Sequence, residues 1–292
     1  MADIKLIALD LDGTLLDSGK RLPPKNAAAL AAAAEAGIEI VPSTGRFYRG
    51  MPEEIRALPY VRYTITINGA EVWDIRNDRG LYSSGIPLDK ALEVFEYLEG
   101  FPVIYDCYQD GWGWMTAEMV ERAEEYVDYA PSLDMIHRLR TPVPELKAYL
   151  REKGKGVQKM QLFTRDRALR ERIFDDLKER YPDLLITNSL PNNLEINSAA
   201  ANKGDALMAL ARCLALAREQ TMAFGDGLND LTMIRAAGIG VAMENGHPDV
   251  KAAADYVTAD CDHNGVAAAL EHFRVAGALP KAPMNDGWPA SE

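Results

Sequence analysis

Asp10 and Asp12 stand two positions apart at the close of an apolar run, Leu6-Ile7-Ala8-Leu9-Asp10-Leu11-Asp12-Gly13. Residues i and i+2 of an extended backbone share a side, so both carboxylates point the same way and need a positive partner. A hard divalent cation held through oxygen ligands is such a partner, and Mg2+ keeps positions free for a phosphate. In that setting Asp10 is a candidate nucleophile toward phosphorus and Asp12 a candidate general acid and base. The same string also reads as a strand closed by an Asx turn, with Asp12 bonded to its own backbone.

Three other strings have similar character. Ile38-Glu39-Ile40-Val41 runs into Ser43-Thr44-Gly45-Arg46, where the Thr44 hydroxyl, the Gly45 amide and the Arg46 guanidinium can donate to phosphoryl oxygens. Ser43 or Thr44 can equally cap a helix from Phe47 to Leu58, and a helix start is itself an anion site. Lys203, in Asn202-Lys203-Gly204, opens a helix whose dipole prefers an anion at that end. A buried phosphate resolves that conflict, and so does a solvated surface lysine. Thr221-Met222-Ala223-Phe224 leads into Gly225-Asp226-Gly227-Leu228-Asn229-Asp230, whose carboxylates can complete a metal shell begun by Asp10 and the Asp12 carbonyl, or form a polar turn capping Leu231–Ala237.

These strings need elements that bring them together. The Ala-rich stretch from Asn26 to Ala36, closed by Gly37, has the composition of a helix between two short apolar strands. Strand, crossover helix and strand form a right-handed parallel unit, and such sheets present ligands at the carboxyl ends of their strands. Thr64–Ile67 reads as a third strand followed by a small hairpin. From about Ile86 the pattern becomes mixed: helices at Leu88–Leu98, Ala117–Tyr129, Val143–Lys153 and Arg167–Tyr181, and strands at Val103–Tyr108, Trp112–Thr116, Val157–Thr164 and Leu184–Asn188. The first pattern resumes at Leu194-Glu195-Ile196-Asn197. The expected fold is α/β, a Rossmann-like parallel-sheet core in two parts, 1–85 and 190–276, around an inserted α+β cap domain at 86–189, with a flexible tail at 277–292. Tyr105, Tyr108, Trp112 and Trp114 of the insert read either as an aromatic lid or as an ordinary sheet face.

Composition narrows the partners. The 292 residues, 48% hydrophobic, can bury a sizeable core, and a net charge of −12 argues against a nucleic-acid backbone or an anionic membrane. Cys107, Cys213 and Cys261 follow no metal spacing and read as reduced thiols, and the four histidines share no ligand pattern. With no basic-then-apolar leader and no long apolar run, the expectation is an unprocessed cytoplasmic protein.

Taken in order, Asp10–Leu16 (DLDGTLL), Ser43–Arg46 (STGR), Asn202–Gly204 (NKG) and Gly225–Asp230 (GDGLND) resemble the haloacid dehalogenase superfamily of phosphohydrolases, in its Cof-like branch with a type IIB cap. Val241–Gly246 and Val250–Thr258 are similar to that branch as well. The resemblance implies Mg2+-dependent transfer of a phosphoryl group from a small phosphorylated metabolite to Asp10. In it Asp12 serves as acid and base, Thr44 and Lys203 hold phosphoryl oxygens, and Asp226 completes the metal shell. Asn229 is implied to reach the phosphate or Lys203, and Asp230 to support metal waters or the lysine. Arg46 and Asn68 are placed at the cleft, Ser43 beside it, and the insert as a cap that excludes water. A phosphotransferase or mutase uses the same core, and a phosphate-binding regulatory protein is the non-catalytic alternative.

Overall fold

Apolar runs of four or five residues, buried on both faces, become the strands of one parallel sheet. In the computed structural model, which describes residues 3–275 except 189 and 191, the first of these is β1, Leu6–Asp10. After it come β2 Glu39–Ser43, β3 Tyr63–Thr66, β4 Glu71–Asp74 and β5 Arg79–Ser83. The insert holds β6 Ile104–Gln109, β7 Trp112–Thr116, β8 Arg140–Val143, β9 Lys159–Phe163, β10 Leu184–Thr187 and β11 Asn193–Ser198. The chain ends its regular strands with β12 Thr221–Gly225, β13 Ile239–Met243 and β14 Tyr256–Thr258.

Eight strands form the core sheet in the order β14-β13-β12-β1-β2-β3-β4-β5. The six from β14 to β3 run parallel, and β4 and β5 add an antiparallel hairpin at one edge. β1 lies between β2 and β12 in register, Asp10 beside Ser43 and Phe224 beside Leu9. Parallel strands end on a common edge, so the last residues of β1, β2 and β12 reach one rim. Helices cover both faces: Pro24–Glu35 and Gly265–His272 pack on one, Lys203–Cys213 and Leu231–Ala236 on the other.

The second sheet runs β10-β11-β9-β6-β7-β8 and is antiparallel except between β7 and β8. One face packs against Leu88–Leu98, Leu146–Lys153 and Arg167–Arg180. The other face carries an apolar cluster, Ile104, Met115 and Phe163 under the segment 117–139, and a polar part, Asp106, Lys159 and Gln161, beside Tyr108.

Several expected elements differ. Asn193–Ser198, expected to reopen the core, belongs to the second sheet: Leu194 and Ile196 pair with Leu162 and Met160 and share their apolar cluster. The core therefore resumes after Ser198. No helix spans 47–58, because Pro52 interrupts it; a 3-10 turn at Tyr48–Gly50 and one helical turn at Glu53–Arg56 replace it, with no side-chain cap from Ser43 or Thr44. The segment expected as Ala117–Tyr129 breaks into Ala117–Glu121 and Ala123–Tyr126, and a further helix, Ala130–Leu139, follows with Pro131 in its first turn. The expected tail at 277–292 lies outside the described residues. Among the described residues no helix is long and apolar enough to cross a membrane.

Candidate active site

Lys203 is the electrostatic centre of the rim. It opens the helix Lys203–Cys213, capped by Asn202 through the Asp205 amide, and is fully buried. Its ammonium donates to Asp10 Oδ1 at 2.6 Å, to Asp230 Oδ1 at 2.6 Å and to the Ser43 carbonyl at 3.1 Å. Lys203 is therefore not a solvated surface lysine, and the groups that meet it are carboxylates and a carbonyl. A lysine at a helix N-terminus, without water, is tolerable only where carboxylates converge on it.

They converge in excess. Oxygens of Asp10, Asp226 and Asp230 lie within 4.8 Å of one another. Burial, against the pull of Lys203 and with Asp230 and Asp226 adding repulsion, pushes the Asp10 pKa up to about 7. Burial also raises Asp226, opposed by its bond from Thr14. Burial works against the Lys203 ammonium, but its two carboxylate partners outweigh this and hold its pKa above the ordinary lysine range. Three carboxylates around one ammonium leave a deficit of positive charge, and oxygen donors at this spacing suit a hard divalent cation.

The loops carry the remaining parts. Asp230 Oδ2 accepts from the Asp226 and Gly227 amides at 3.0 and 2.9 Å, so one carboxylate ties Lys203 to the β12 loop. Thr14 Oγ1 donates to Asp226 Oδ1 at 2.8 Å, joining the β1 loop to it. Gly13, at φ +90°, lies so close that a Cβ would come within 2.5 Å of Asp226 Oδ2. Asn245 Nδ2 holds the Gly13 carbonyl at 2.8 Å.

Asp12, expected on the same side as Asp10, turns away from the carboxylate group because β1 ends at Asp10 and the i, i+2 alternation of a strand does not reach it. Its side chain accepts from Arg46 Nη2 at 3.1 and 3.2 Å and pairs with Lys20 at 2.8 Å. Burial raises its pKa, but Lys20 and Arg46 outweigh that and hold it below the usual carboxylate range. Thr44 is buried, with its hydroxyl accepting from the Arg46 amide at 3.2 Å. Asn229 Nδ2 donates to Asn68 Oδ1 at 3.1 Å, and Asn68 in turn sits against Gly45. Lys203 is met by Asp230 rather than by Asn229.

The rim thus gathers Asp10, Ser43, Lys203, Asp226 and Asp230 tightly, with Asp12, Thr44, Gly45, Arg46, Asn68 and Asn229 around them. Sequence reading gave no role to Thr14, Lys20 or Asn245. Thr14 was legible as part of the DLDGT string. The Ser43 contribution is a backbone carbonyl, which residue type cannot announce. From the rim a cleft of about 660 Å³ opens toward the second sheet, bounded by Gly45, Arg46 and Phe47 on the core and by Tyr108, Gln161 and Glu195 opposite.

A parallel sheet with acidic and cationic strand ends on one rim, roofed by a second domain, defines a hydrolase of the haloacid dehalogenase type. The family model for haloacid dehalogenase-like hydrolases matches residues 7–270, and the chain belongs to that family. It is 31% identical over 271 residues to the 5-amino-6-(5-phospho-D-ribitylamino)uracil phosphatase YcsE of Bacillus subtilis, covering 93% of this chain and 96% of that one. It is also 31% identical over 269 residues to the pyridoxal phosphate phosphatase YbhA of Escherichia coli, covering 90% and 96%. Among solved structures, a haloacid dehalogenase-like hydrolase from Bacteroides thetaiotaomicron superposes with a TM-score of 0.75 at 27% identity, covering 92% of this chain and 99% of that one. A subclass IIB sugar phosphatase superposes with a TM-score of 0.69 at 28% identity, covering 93% and 99%. Together these make the chain a Cof-like phosphoric monoester hydrolase.

Proposed function

We propose that this protein is a Mg2+-dependent phosphatase that hydrolyses small phosphomonoesters, such as sugar phosphates or phosphorylated cofactors, through a phosphoryl group carried on Asp10. The observation that carries the reading is the carboxylate excess around buried Lys203. Such an arrangement is costly to fold and is relieved by a divalent cation, beside which a phosphate can then bind.

The donor set fits Mg2+: Asp10 and Asp226 hold free carboxylate lone pairs at the rim, while both Asp230 oxygens are already engaged. Asp10, Asp226 and the Asp12 carbonyl would hold the ion, which when bound neutralises charge on the phosphoryl oxygens and on Asp10. The Asp10 carboxylate attacks phosphorus as the ester P–O bond breaks, and Asp12 gives its proton to the leaving alkoxide. Asp12 then takes a proton from water as that water attacks phosphorus, freeing phosphate and restoring Asp10. Lys203, Thr44 and the Gly45 amide match the charge spread over the equatorial oxygens. Asp12 can carry a proton only after Arg46 and Lys20 release it, and a phosphate offers Arg46 an alternative partner.

The second sheet acts as the cap over this rim, and the cleft volume suits a metabolite rather than a polymer. Hydrolysis is preferred to transfer because the relatives above are named phosphatases. The test is phosphate release by purified protein across a panel of phosphorylated metabolites, with Mg2+ and with EDTA. Release on several small monoesters that stops in EDTA is expected; no release with Mg2+ on any of them would overturn the reading.

A further inference from the structure

The loop that follows the STGR string faces two ways. Arg46 reaches the rim and Asp12, whereas Phe47 and Arg49, one and three residues on, reach the cap. Phe47 lies against Tyr108 of β6 with ring centroids 4.7 Å apart, both residues buried. Arg49 lies over the Trp112 ring of β7, its guanidinium carbon 3.8 Å from the centroid. The nearest carboxylate to Arg49 is Asp78 at 4.0 Å, and Arg49 Nε is buried with no hydrogen-bond partner. This guanidinium is therefore placed by stacking more than by ion pairing.

Trp112 stands at the tip of the β6–β7 hairpin, just after Asp110 and Gly111, both in the left-handed region at φ 52° and 75°. That turn sets the indole toward the core loop, and Trp112 is one of five exposed large hydrophobic residues among the described residues. Within the cap the indole contacts the Trp114 ring, with centroids 6.2 Å apart, and the charged group over it is Arg49 of the core. Trp114 and Tyr105, by contrast, pack on Tyr149 and Phe95 within the cap.

We propose that Trp112 and Arg49 form a catch that holds the cap closed over the phosphate site, with Phe47 and Tyr108 as its buried half, and that both act as positioning residues for the reaction. Closure seats Arg49 on the indole and fixes the loop that presents Thr44, Gly45 and Arg46. The inference rests on the phosphatase reading. A closed state that is less populated raises the apparent dissociation constant by the same factor and leaves chemistry in the closed state alone.

The test is steady-state kinetics of Trp112→Ala, Arg49→Met and their combination, with thermal unfolding as a check on folding. Each single variant is expected to raise KM about three- to tenfold, the range of a partly desolvated cation–π contact, with kcat within about twofold. The double variant is expected to be no worse than the worse single, and Trp112→Phe and Arg49→Lys to restore most of the loss. Parent kinetics in Trp112→Ala, or penalties that multiply in the double variant, would overturn the catch while leaving the phosphatase reading intact. A parent without phosphate release would remove that reading instead. A second measurement needs no turnover: the emission of Trp112, as the difference between parent and Trp112→Phe, should become more open to acrylamide quenching in Arg49→Met. Unchanged quenching would also overturn the proposal.

Discussion

Two buried charge clusters of this molecule carry different sums, zero in the cap and net negative at the core rim. In the cap, Arg140 Nε donates to Asp106 Oδ2 at 2.6 Å with both side chains fully buried, and its Nη2 donates to the Tyr108 hydroxyl and Gln161 at 3.0 Å. Arg140 Nη1 and Asp106 Oδ1 are buried without a hydrogen-bond partner. Lys159 and Glu195 pair beside them at 2.7 Å. Two cations face two carboxylates, and neutral groups take up further bonding capacity. At the core rim one ammonium faces three carboxylates. A balanced buried network specifies how a sheet face packs; an unbalanced one stores a demand for a ligand. Total burial does not distinguish them. The net charge of the cluster does.

The strongest way to break this contrast is Asp10→Asn. Turnover should fall by about four to six orders of magnitude, while thermal stability holds or rises because one surplus carboxylate is gone. A large loss of stability would mean that the rim is as balanced as the cap. Lys203→Met should lower kcat/KM by about 10²–10⁴ and also destabilise the fold, since Asp10 and Asp230 then share a buried site with no cation.

The cap counterpart is Arg140→Met. It leaves Asp106 uncompensated and should cost about 3–5 kcal/mol in a denaturant titration, with much of this recovered in the double variant with Asp106→Leu. Its kcat should stay near that of the parent under conditions where it is folded. Equal destabilisation of single and double variants would show that packing, not charge balance, is at stake.

The smallest effect concerns Glu71, a buried acid of β4 that lines a cavity with Asp110 and Lys155. It is almost fully buried, its side chain accepts from Thr66 Oγ1 at 3.1 Å, and burial pushes its pKa up to about 7. Below pH 4.5 it is protonated whether folded or unfolded and contributes no pH dependence. Between about 4.5 and 7 only the unfolded chain gives up its proton, so stability falls as pH rises. Glu71→Gln should therefore be neutral at pH 4.5 and stabilising by about 1–3 kcal/mol at pH 8. An equal effect at both values would show that Glu71 is not desolvated.

Much of this was legible in the sequence. The apolar runs ending at Asp10, Ser43 and Gly225 specified parallel strands, and strand ends on one rim specified which side chains meet. Lys203 was legible as an anomaly at a helix start, though its residue type alone left a surface position equally open. What escaped detection was either backbone or tertiary. The Ser43 carbonyl under Lys203 has no sequence signature. Leu194 and Ile196 alternate as any half-buried strand does, so only their packing on Met160 and Leu162 assigns them to the cap. Of the aromatic residues of β6 and β7, only Tyr108 lines the cleft, and Trp112 lies over Arg49 instead. Tyr105 and Trp114 serve the cap interior, while Tyr108 and Trp112 face the core loop.

The most direct measurement is a rapid acid quench during turnover of a phosphomonoester with Mg2+, followed by peptide mass analysis. A phosphoryl adduct on the peptide bearing Asp10, absent from Asp10→Asn, is the predicted result. Steady turnover with no adduct on that peptide at any quench time, or an adduct that persists in Asp10→Asn, would contradict it.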